Sequence, residues 1–140
     1  MLENPRHVLE SSAQRGRRLR CSFELCGDRY SHQIELIDGD QSTLVLCSVE
    51  DDSTSDPPAS GPLQELHVHE QADGSSALML VGKAGKNHWS LCVTVDAESD
   101  SLIFDAACRV REPVPFLGAV YERKHASSAA CVESVDIPNA

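Results

Sequence analysis

The chain is short of aromatic residues, short of basic residues outside its first twenty positions, and without a long apolar run. Each shortage excludes something. Aromatic side chains make up 4% of the 140 residues, so the core must be aliphatic. No stretch approaches the ~20 apolar residues of a membrane-spanning helix. The first twenty residues, MLENPRHVLESSAQRGRRLR, lack the apolar centre of a secretory signal. Arg17-Arg18 is not followed by the apolar stretch of a twin-arginine export signal, so the cytoplasm is the expected compartment. Positions 21–112 carry five basic residues against seventeen acidic ones. An acidic body repels nucleic acid and anionic membrane, because phosphate binding needs clustered Lys and Arg. The six cysteines, Cys21, Cys26, Cys47, Cys92, Cys108 and Cys131, contain no C-x-x-C pair, which removes a zinc knuckle or a redox motif. Spread thinly through predicted strands, they read as buried, reduced thiols rather than a disulfide framework.

What is present is period two. In HWSLCVTV, Trp89, Leu91, Val93 and Val95 fall on one face, with His88, Ser90, Cys92 and Thr94 on the other. In LIFDAACRV, Leu102, Phe104, Ala106, Cys108 and Val110 share a face, with Asp105 and Arg109 opposite. Side chains alternate across a strand, so each pattern buries one face and wets the other. CSFELC, SHQIELID, TLVLCSV, LQELHVHE and ALMLV read as further strands, and LGAVYERK as a last one. Asp38-Gly39 is a hairpin signal, and GKAGKN and DAESDS are tight polar turns. The expected fold is mainly β, with seven or eight short antiparallel strands in a small barrel or a two-sheet sandwich.

Residues 1–20 hold five Arg against two Glu and read as a basic flexible leader or a short helix. The favoured reading is a solvated, frayed terminus or a leader that docks on the acidic body, and the other is contact with RNA or an acidic partner. Residues 21–124 form the single β domain. Its acidic, Ser- and Pro-rich segment at 50–62 reads as a mobile loop, and 125–140 as a polar tail.

Three patterns could carry chemistry. His67 and His69 sit at i and i+2 of a strand, so both imidazoles share a face with Glu65, and His88 begins a strand two along. Two or three His with a carboxylate suit a divalent transition metal. The basic turn from Gly82 to Asn87 lacks the spacing of a phosphate loop and reads as a hairpin turn. Trp89, the only Trp, reads as the largest core side chain, and Arg109 and Arg111 as surface pairing residues.

GPLQELHVH resembles the opening of the first cupin motif, G-x5-H-x-H, read from Gly61 through His67 and His69. Asp73 falls where cupins carry a Glu, and Gly82 lies two residues past the motif's next Gly. The second cupin motif is absent. The resemblance implies His67 and His69 as metal ligands and Asp73 as a third.

No catalytic constellation is present: there is no G-x-S-x-G elbow and no Gly-rich loop ahead of a helix. The expectation is therefore a non-enzymatic binding or accessory module without a cofactor. Its partner would be a protein or a small molecule, not nucleic acid or membrane. The alternative is a cupin-like metal protein or enzyme using His67, His69 and His88.

Overall fold

Short turns organise most of this chain into hairpins. The computed structural model describes residues 6–11, 16–50, 62–112 and 120–123. β1 (Arg6–Glu10), β2 (Arg17–Cys26), β3 (Arg29–Asp38) and β4 (Gln41–Ser48) run consecutively. β5 (Glu65–Glu70), β6 (Ser76–Ala84), β7 (Asn87–Asp96) and β8 (Ser101–Arg109) follow, then the short β9 (Tyr121–Arg123). At the β3–β4 turn Gly39 takes φ +59°, which the tight turn requires and which glycine adopts without steric cost.

All pairings are antiparallel and make two sheets, β1-β2-β3-β4-β9 and β5-β6-β7-β8. One residue is left over in the ladder: Ile34 faces Leu46 and Glu35 faces Leu44, so Val45 bulges and is buried. Leu9, Cys21, Phe23 and Tyr30 from the first sheet pack with Leu78, Leu80, Leu91 and Val93 from the second. The arrangement is thus a two-sheet sandwich and not a closed barrel. Burying Phe23, Leu80 and Val93 fully contributes about 1.5–3 kcal/mol each. Trp89 is not the centre of this core. It is partly buried against it, as are Phe104 and Leu102, and Phe23 is the largest fully buried side chain.

Gly82 marks where the segment entering β5 presses against β6. A Cβ there would overlap the Pro62 carbonyl. This close approach lets the Leu63 carbonyl accept from Tyr30 N at 2.7 Å, while Gln64 N donates to Val81 O at 2.8 Å. The chain entering β5 is therefore bonded to both sheets.

Several expectations change. Residues 6–10 form a strand rather than a helix or a loose leader, and no helix occurs among the described residues. None is therefore long and apolar enough to cross a membrane. Arg18 and Arg20 both bond Glu10, at 3.1 and 2.8 Å, and Arg6 reaches Ser22 at 3.0 Å and Glu35 at 3.6 Å. Arg20, with Arg18, holds the Glu10 carboxyl below its usual range. These arginines are committed to the outer face of the first sheet. Of the five described cysteines, all free, Cys21 is buried and Cys26 exposed. Apart from β9, strand order follows chain order, unlike the paired Greek keys of a cupin jelly roll. The loop expected at 50–62, apart from its end residues, and the tail at 125–140 lie outside the described residues.

Candidate functional site

The outer face of the four-stranded sheet is built by alternation. Glu65, His67 and His69 come from β5, and Met79, Val81 and Lys83 from β6. Ser90 and His88 on β7, and Ile103, Asp105, Ala107 and Arg109 on β8, complete it. Leu78, Leu80, Leu91 and Val93 point the other way, into the core.

His67 and His69 share this face, as their spacing predicts. His67 Nε2 lies 3.8 Å from Glu65 Oε2, with side chains 71% and 70% exposed, so water screens the contact. His88 is on the same face but at the opposite corner. His67 is level with Met79 and Cys92, and His88 stands two strands across and four residues along. Strand geometry puts that separation at roughly 16 Å, far beyond shared coordination. Asp73, the third ligand implied by the cupin resemblance, is held in the β5–β6 turn. It accepts from Ser75 N at 2.9 Å and from Ser75 Oγ at 2.6 Å, and these bonds lower its pKa. Among the described residues no group of three or more His, Cys, Asp and Glu side chains is placed to hold a metal ion.

Exposed apolar side chains also stand on this face, Met79 and Val81 on β6 and Ile103 on the end strand β8. Met79, Val81 and Ile103 are 46%, 43% and 45% exposed. Val81 is level with Ser90, and Ser90 with Ala107. These two small side chains leave a shallow groove of about 360 Å³, walled by Val81, His88 and Arg109. His88 stands directly opposite Arg109. Arg111 does not join them. It is exposed, and its backbone N donates to Asn87 Oδ1 at 2.7 Å.

Comparison with known protein families, curated proteins and solved structures finds no match for this chain. The site must be judged on its own chemistry.

A second polar constellation lies inside. His32 on β3 is 6% exposed, between the rings of Phe23 (4.7 Å, stacked) and Phe104 (5.9 Å). Its Nε2 and the Tyr121 hydroxyl are 2.7 Å apart, its backbone N donates to Ser48 Oγ at 3.0 Å, and its Nδ1 is buried without a hydrogen bond. Desolvation lowers the His32 pKa to about 4, so the imidazole is neutral at ordinary pH. Tyr121 sits at the sheet edge with its hydroxyl turned inward, and burial raises its pKa. The buried Cys21 thiol is pushed up to about 12 by desolvation. The thiol and the imidazole are thus both buried and both held in their neutral forms. A signal for this cluster was present in the sequence: His32 lies in phase with Tyr30, Ile34 and Leu36, on an apolar face.

Asn87 is a further buried polar residue, and periodicity gives no signal for it. Its Oδ1 accepts from Arg111 N at 2.7 Å and Glu112 N at 3.1 Å, and its Nδ2 donates to Glu112 O at 3.2 Å. Glu112 Oε1 in turn accepts from Lys86 N at 2.9 Å. The chain leaving β8 is thereby clamped onto the β6–β7 hairpin.

Proposed function

We propose that this chain is a non-enzymatic binding or accessory domain that engages a protein partner through the outer face of its β5–β8 sheet. The observation that carries the reading is the exposure of Met79, Val81 and Ile103 on one regular sheet face. Polar side chains of both signs, Glu65, His67, Lys83, Asp105 and Arg109, stand beside and between them. Exposed apolar patches flanked by polar residues mark protein contact surfaces. Backbone ladders on either side hold this face rigid, so docking there orders little chain.

The best candidates for general base and nucleophile, His32 and Cys21, are buried in the sandwich and held in their neutral forms. That supports a contact role over a catalytic one. The test is a Met79→Asp, Val81→Asp double variant. Both side chains are exposed, so the melting temperature should stay within a few degrees of the wild type. Proteins co-purifying with the wild type from its own cells should be lost from the variant. A partner retained equally by both proteins would overturn the assignment of this face.

A further inference from the structure

We propose that β8 pairs antiparallel with β8 of a second copy, about a two-fold axis through Ala107, joining two four-stranded sheets into one of eight. β8 is an end strand of its sheet, bonded to β7 through all nine residues with no shift of register. Its other edge has no paired strand among the described residues. Unpaired strand edges template further pairing, and proteins that leave them unpaired blunt them with charge, proline, bulges or shortness. The other three edges are blunted. β1 has five residues and β9 three, and β5 has six, four of them His or Glu. β8 has nine residues, no proline and no bulge, and its charges are Asp105 and Arg109.

Those two charges select the register. In an antiparallel pair about a two-fold axis, outer-face residues meet outer-face residues, so the axis passes through a single position. Placed at Asp105 or Arg109, it would set like charges directly opposite, which is destabilising. Placed at Ala107, it sets Asp105 opposite the partner's Arg109, and Arg109 opposite the partner's Asp105. Ala107 then meets its own copy. On the inner face Ala106 meets the partner's Cys108, and Phe104 meets the partner's Val110. Val110 is 42% exposed in one chain, so the pairing covers apolar surface as well. Neither Asp105 nor Arg109 has an ion-pair partner among the described residues. The dimer also extends the groove. The row Val81, Ser90, Ala107 continues across the axis into the same row of the second copy, so the two shallow grooves become one trough.

Sedimentation equilibrium of the purified chain tests this, with melting curves to confirm that each variant folds. The wild type should associate reversibly to a dimer. Asp105→Arg alone and Arg109→Asp alone should each weaken the dimer roughly tenfold or more, because each places two pairs of like charge opposite one another. Combining both swaps restores the complementarity and should restore dimerisation. In a Cys26→Ser background, Ala107→Cys should form an intermolecular disulfide on mild oxidation, since facing Cα atoms lie ~4.5–5.5 Å apart, within disulfide range. Ile103→Cys, four residues from the axis, should not. A wild type that stays monomeric at all accessible concentrations would overturn the proposal. So would a double swap no better than the single swaps, or equal cross-linking at positions 103 and 107.

Discussion

Acidification from pH 7 to pH 5 should cost this protein about 2 kcal/mol through His32 alone. The ring lies between Phe23 and Phe104 with its Nδ1 unbonded, so protonation would bury an uncompensated charge. Its pKa falls from 6.5 in the unfolded chain to about 4 in the fold. The unfolded state therefore takes up the proton first. Stability from this residue is full above pH 6.5 and drains as pH falls towards 4. With those two values the loss is about 2 kcal/mol by pH 5 and about 3 kcal/mol by pH 4. Neighbouring groups do not share the window. Cys21 is held up at about 12, Tyr121 is raised above an already high value, and Glu10 is lowered by Arg20 and Arg18. Glu10 contributes stability above its unfolded pKa of 4.5, lost only as pH drops through its lower folded value. Urea unfolding at pH 7, 6 and 5, followed by Trp89 fluorescence, measures the effect. His32→Gln should be less stable at pH 7, by about 1 kcal/mol, yet flat across the range. Equal losses in the two proteins, or a His32 imidazole titrating near 6.5 by NMR in the folded state, would show that His32 does not set the acid sensitivity.

Three other outcomes follow from particular contacts. Asn87→Ala removes two acceptor bonds and one donor bond at a buried position, and should cost about 2–3 kcal/mol in urea unfolding. Amide exchange should accelerate first at Arg111 and Glu112. Gly82→Ala drives a methyl into the Pro62 carbonyl and should cost about 1–3 kcal/mol or more in urea unfolding. Adding nickel, zinc or manganese should leave the melting temperature unchanged, both in the wild type and in a His67→Ala, His69→Ala variant. A stoichiometric metal-dependent rise lost in that variant would revive the cupin-like alternative.

Strands with clean alternation were legible without a structure. Trp89-Leu91-Val93-Val95 declares a core-facing side and Asp38-Gly39 its turn, whereas on β8 only Leu102 and Phe104 pack against the core and Ala106, on the same face, is exposed. β1 was not legible, because RHVLE has one inward apolar residue, Leu9, and becomes a strand only through pairing with β2. The choice between barrel and sandwich was hidden for a related reason. It depends on which strands pair across long separations, such as β4 with β9, and alternation says nothing of partners. The same limit applied to the site. Spacing was enough to put His67 and His69 on one face, and His88 and Arg109 on a wet face of adjacent strands. Only strand order and register reveal that these pairs occupy opposite corners of the same surface, with Met79 and Val81 between them.

The most direct test of the contact-surface claim is the oxidation rate of Met79. Its side chain is nearly half exposed on the outer face, so brief peroxide or radical footprinting should oxidise it readily in the purified protein. In the cells that make the protein, Met79 should be protected severalfold, with no matching protection of Cys26, which is exposed on the other sheet. Equal oxidation of Met79 in both settings would contradict it.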